Sequence, residues 1–204
     1  MSAFLALCDA LQESERLIAA LERRRAELPF VDDVLALHQP RHRDLETSRL
    51  RSEQAVDAWR AALARRWECE VAGRRIYKLI VRQLVEHYGS AAVPEIQMLS
   101  RGEAEANSSP SELLHDLRRL QAALAMGASS LPFAAQRLAE IEQTCTALEV
   151  AIGEAEICEA QRRTAVLDRR MAQEAYRRAR AATRRALAAH YGENIASEFA
   201  ELFD

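Results

Sequence analysis

His38 and His42 stand four residues apart, a spacing that puts two imidazoles on one helix face, as a metal ion requires. Pro40 lies between them and disturbs that geometry, and no carboxylate occupies the place it has in His-Glu-x-x-His sites. The pair are the metal candidates of this sequence, but a solvated or hydrogen-bonded pair on a helical seam is the preferred reading. Glu112 and His115 have the Glu-x-x-His spacing of di-iron bundles. That chemistry needs a second such pair and two further inward carboxylates. His87 and His190 instead carry Leu84 and Leu187 three residues before them, so no resident metal or other cofactor is expected.

Arginines form the next constellation. Arg162, Arg163, Arg169, Arg170, Arg177, Arg178, Arg184 and Arg185 crowd a segment holding two acids, Asp168 and Glu174. Such a face could track a phosphate backbone. Only Tyr176 is there to stack on a base, and the stretch from Glu140 to Glu159 just before it is acidic. Solvation, or pairing with an acidic helix, is therefore preferred to nucleic-acid binding. Trp59, Leu63 and Trp67 make an i, i+4, i+8 stripe that suits a core first and a subunit contact second. With Ile76, Tyr77 and Ile80, which stand in a run too apolar for one seam, Trp59 and Trp67 are the protein-interface candidates. Phosphate loops, nucleophile elbows and Cys/His nucleophile pairs are not found, so no enzymatic activity is expected.

The elements that carry these residues are helical. The chain has 204 residues, only 6 Gly and 5 Pro, a net charge of −3, and many Ala, Leu, Arg and Glu. Few breakers among strong helix formers predict long helices, and the charge gives no global pull toward nucleic acid or membrane. Cys8, Cys69, Cys145 and Cys158 form no Cys-x-x-Cys pair and read as reduced small hydrophobes of a cytoplasmic protein. No run approaches the roughly 20 apolar residues of a membrane span.

The chain also matches itself. Leu28-Pro29-Phe30 returns as Leu131-Pro132-Phe133, and His87-Tyr88-Gly89 as His190-Tyr191-Gly192, at an offset of 103 residues. Without a gap, more than a quarter of positions in 11–99 are identical in 114–202, against about a tenth expected by chance. A tandem duplication follows: a first repeat over 1–99, a linker over 100–109 and a second repeat over 110–204, with one core shared between them.

Each repeat predicts a short helix, a Leu-Pro-Phe turn and a segment of about 60 residues with almost no breaker. The first short helix is expected from Ser2 to Glu27, stopped by Pro29. The second starts on Ser109-Pro110-Ser111-Glu112, a capping box with proline at the first helical position, and stops at Gly127 in the left-handed conformation. The long segments break, if anywhere, near Pro40 and Gly153. They close at Tyr88-Gly89 and Tyr191-Gly192, where glycine takes positive φ and a histidine meets the negative end of the helix dipole. Amphipathic pieces at Val93, Ile96, Met98 and Leu99, and at Ile195, Phe199, Leu202 and Phe203, are expected to fold back.

The expected fold is all-α, an elongated bundle resembling an antiparallel coiled coil. The expected function is non-enzymatic: a structural or adaptor protein presenting long helices to a protein partner or to itself. The arginine-rich helix as a nucleic-acid contact is the alternative, and a metal-binding bundle the second alternative.

Overall fold

The protein is described by a computed structural model covering residues 5–27, 29–89, 109–127 and 130–192, without the side chains of 5–8 and 191. Four helices occupy these residues: α1 (Leu5–Arg23), α2 (Val31–Tyr88), α3 (Pro110–Met126) and α4 (Ala134–Tyr191). No strand occurs among the described residues, so the chain is an all-α bundle. None of these helices is long and apolar enough to cross a membrane. The helix start at Ser2, the linker over 100–108, the two amphipathic pieces, Leu28 and the side chains of Cys8 and Tyr191 lie outside the described residues.

Both long segments are single helices of 58 residues. Pro40 sits inside α2 and withholds one backbone donor, yet the helix continues through it. Gly153 sits inside α4 with open space where a side chain would be. Helix α1 ends four residues earlier than Glu27. Its last apolar contact is Leu21, and the polar run that follows leaves the helix in turns closed by Arg25 N–H to Glu22 O and Glu27 N–H to Arg24 O. Ser109 caps α3 in extended conformation and its Oγ accepts from the Glu112 N–H. The hydroxyl also donates to the Glu112 carboxylate, in place of the reach to the Ser109 N–H that a full capping box makes. Gly127 has φ −90, not the left-handed value expected. Its carbonyl accepts from Ser130 and Leu131, and a side chain on it would crowd Leu131 at 3.3 Å. Gly89 and Gly192 follow the long helices with φ of 76 and 64.

The chain divides into two compact units that cut across the sequence halves: Met1–Val56 with Gln161–Asp204, and Asp57–Ala160. In unit one, α1 packs on the start of α2 and the end of α4. Leu17, Leu21, Val31, Val34, Leu35 and Leu187 form one cluster, Leu45 and Tyr176 another. In unit two, α3 packs on the end of α2 and the start of α4. There Leu113, Leu117, Leu120 and Leu124 meet Ile76, Tyr77, Ile80 and Leu84, with Ile141 and Leu148. Each fully buried leucine contributes about 2 kcal/mol, so these stripes outweigh the intrinsic helix propensities.

Burial repeats with the sequence offset. Leu17 and Leu120, Leu21 and Leu124, Leu45 and Leu148, and Leu84 and Leu187 are all buried. The repeated tripeptides meet crosswise. Phe30 stands edge-on to His190 at 5.3 Å in unit one, and Phe133 edge-on to His87 at 6.5 Å in unit two.

Candidate functional site

The offset that aligns the leucines exposes a difference between the two cores. Where unit two places Leu117, Ile141 and Ile80, unit one places Ser14, His38 and Thr183, all buried. These three come from α1, α2 and α4, and each occupies a core position of its helix, so the local pattern that folds the helix also buries the polar group. His38 Nε2 lies 2.7 Å from Thr183 Oγ1. The Tyr176 ring stands edge-on to the imidazole, centroids 6.1 Å apart. Tyr176 fills a position that in unit two is Gly73, where Leu113 and Leu117 close to 3.2 Å of where a side chain would begin.

This layer is under-satisfied. Ser14 Oγ, His38 Nδ1, His42 Nδ1 and Tyr176 OH are buried without a hydrogen-bond partner among the described residues. Arg49 Nε, Arg169 Nε and Gln173 Nε2 share that condition, and all seven atoms belong to unit one. A buried polar group without a partner costs about 1–3 kcal/mol, so unit two's apolar layer is the less costly of the two arrangements. Burial lowers the His38 pKa from 6.5 to about 4, which keeps the imidazole neutral. Burial, with the Glu13 carboxylate adding to it, pushes the Tyr176 phenol up to about 12. A threonine hydroxyl on a neutral histidine is the geometry of a nucleophile and its base. Here both side chains are closed to solvent, and His38 Nδ1 has no carboxylate to orient it. The pair therefore ties α2 to α4.

Two grooves flank the layer in unit one. One of about 260 Å³ is lined by Phe30, Val34, Leu37, Ala182 and Ala186 with Thr183. The other, about 430 Å³, carries Arg41, Arg51, Asp44 and Asp168 around Met171.

The remaining sequence candidates are scattered. His38 and His42 do share a helix face, because Pro40 leaves α2 intact, but His38 Nε2 is engaged by Thr183. His115 is exposed on α3, and Glu112 serves the cap. No group of three or more His, Cys, Asp or Glu side chains able to hold a metal occurs among the described residues. Cys145 is buried and Cys69 half-buried, and burial raises both thiol pKa values, so both stay thiols.

Ile76, Tyr77 and Ile80 are not available to a partner. Helix α3 covers them, which the approach of Leu113 and Leu117 over Gly73 permits. Trp59 is half-buried, whereas Trp67 is 63% exposed with Val71 one turn beyond it. Arg163, Arg170, Arg177, Arg178, Arg184 and Arg185 are exposed on α4, while Arg162 and Arg169 are half-buried. Arg178 pairs with Glu174, and Arg180 reaches Glu13 on α1. The acidic stretch is paired within unit two, Glu149 with Arg118 and Glu154 with Arg65.

No known protein family, curated protein or solved structure matches this chain. Ser14 was missed by periodicity, and Thr183, which stands on the periodic seam of α4, was not recognised as a site residue. A side-by-side comparison of the halves would have found them, since each is a polar side chain where its counterpart is Leu or Ile.

Proposed function

We propose that this is a non-enzymatic scaffold or adaptor that presents its long helices to protein, either to a partner or to a second copy of itself. One observation carries the reading. With both cores already filled by leucine, isoleucine and tyrosine, large apolar side chains still stand in solvent along the long helices. Trp67 on α2 and Val150, Ile157, Leu167 and Met171 on α4 are each more than half exposed. Met126 at the end of α3 is exposed as well, but four of the six such side chains lie on α4, and apolar residues grouped on one element support docking, whereas singly scattered ones do not. A tandem duplication fits this role, because it supplies two long helices from one short plan. We place the protein in the cytoplasm on its free thiols.

The test is association measured by sedimentation or light scattering on the full chain, with Trp67→Glu and Met171→Glu as variants. Loss of self-association or of a defined complex in either variant supports the reading. Unchanged behaviour in both refutes it. The exposed arginines of α4 favour a second reading, a contact with nucleic acid. It predicts that the purified protein carries nucleic acid, visible as a raised ratio of absorbance at the base and aromatic bands.

A further inference from the structure

We infer that the exposed arginine face of α4 in unit one is a phosphate-tracking surface for double-helical nucleic acid. This rests on the second reading above and names its ligand class, an activity added to the scaffold. Nine arginines stand from Arg162 to Arg185 against two acids, Asp168 and Glu174, a local charge of +7 in a chain of net charge −3. Four of them, Arg163, Arg170, Arg177 and Arg184, recur every seven residues, and all four are exposed. A step of seven residues drifts by about 20° around a helix and rises about 10.5 Å, so the four form one stripe about 31 Å long. One turn of duplex is about as long, roughly 34 Å. Exposed Arg178 and Arg185 broaden the stripe on one side. Toward the end of the helix, Arg177, Arg180 and Arg184 line a shallow cavity of about 200 Å³ together with Ala181. Arg180 is held there by Glu13 of α1 at 3.4 Å. Guanidinium forks around a concavity suit the oxygens of a phosphate.

The helical plan of the repeat does not dictate this stripe. At the offset of 103 residues its counterparts on α2 are Arg60, Trp67, Arg74 and Val81, and Arg74 is held by Glu70 at 3.5 Å. A helix of the same length forms with tryptophan and valine at two of the four positions, so the unbroken run of arginine belongs to α4 alone. The face also selects among nucleic acids. Tyr176 is the only aromatic residue between Arg162 and Arg185, and its ring is 1% exposed, so none is offered for stacking on a base. A single strand bound without stacking gives up its freedom for phosphate contacts alone. A duplex is already stiff and carries one charge per roughly 1.7 Å of its axis, which a straight helix meets without ordering its ligand. Such contacts go to the backbone, so binding is indifferent to base sequence. Two acids oppose it weakly. Glu174 lies within the face but is taken by Arg178 at 3.1 Å, and Asp168 lines the groove beside Arg41 and Arg51.

Salt dependence tests the face. The full chain is titrated into a fluorescently labelled duplex of mixed sequence, into one of its strands, and into vesicles of phosphatidylserine and phosphatidylcholine. Contact with about four to six phosphates gives a slope of log affinity on log salt of about −4 to −5, so duplex binding should weaken several hundredfold between about 50 and 200 mM salt. The double variant Arg170→Ala with Arg177→Ala should make that slope shallower by about 2. A control pair, Arg60→Ala with Arg75→Ala, removes as much charge from exposed positions of unit two and should leave the slope unchanged. Unaltered helical circular dichroism confirms that both variants are folded. Duplex binding that is tighter than strand binding, with these slopes, supports the inference. A chain that binds neither duplex nor strand overturns it together with the nucleic-acid reading, and leaves the scaffold reading standing. Strand binding as tight as duplex binding overturns the duplex assignment alone. Vesicle binding without duplex binding overturns it in favour of a membrane surface. Equal effects of the two variant pairs on duplex binding overturn the assignment to α4.

Discussion

Acid should loosen unit one through His38. The imidazole is fully buried and its pKa is lowered from 6.5 to about 4 by that burial. The unfolded chain takes up the proton near its ordinary value, while the folded chain holds out until about pH 4. Stability from this group is therefore complete above pH 6.5, falls as pH drops from 6.5 to about 4, and is flat below. The gap corresponds to about 3 kcal/mol in full, of which about 2 kcal/mol is lost between pH 7 and pH 5. Tyr176, pushed up to about 12, stays neutral throughout this window, and Ser14 and Thr183 do not titrate. The control is a double variant, His38→Ile with Thr183→Val, which makes both positions apolar, as their counterparts in unit two are, and removes both partners of the hydrogen bond at once. Urea unfolding followed by far-ultraviolet circular dichroism at the two pH values measures the difference. The parent chain should lose about 2 kcal/mol more than the double variant. An equal loss in parent and double variant would refute the reasoning, because another group would then carry the acid sensitivity.

Other substitutions probe the frame. Gly89→Ala and Gly192→Ala each force a side chain into positive φ and should cost about 1 kcal/mol in chemical unfolding. Gly73→Val drives methyl groups into Leu113 and Leu117, and should lower the tryptophan-reported stability of unit two by about 1–3 kcal/mol. Ser109→Ala removes the cap of α3 and should cost about 1 kcal/mol, read by thermal melting.

Much of the frame was legible from residue spacing, because helix boundaries follow local rules. Ser109-Pro110 starts α3, and Gly89 and Gly192 follow the long helices in positive φ, since capping depends on neighbours in the chain. What depended on distant partners was not legible. Ile76, Tyr77 and Ile80 looked like surplus apolar surface until α3 was seen covering them, and the small residue that admits α3, Gly73, carries no local signal. Gly127 looked like a left-handed stop, but the turn to Leu131 uses its carbonyl instead. The crosswise meeting of Phe30 with His190 and Phe133 with His87 joins residues far apart in sequence, which no periodicity encodes. The polar layer was hidden for a different reason. Ser14 and Thr183 lie on helical seams with the right spacing, and only their difference from Leu117 and Ile80 marks them.

The central claim is that the exposed apolar side chains of the long helices bind protein, a second copy of this chain or a partner. Sedimentation equilibrium of the purified 22.9 kDa chain up to about 100 μM tests it most directly. The account predicts a mass that rises toward twice that of the monomer with increasing concentration, and that stays near the monomer value in the Leu167→Glu variant. A chain that remains monomeric over the whole range, and whose Leu167→Glu and Trp67→Glu variants still form whatever complex the parent chain forms, would contradict it.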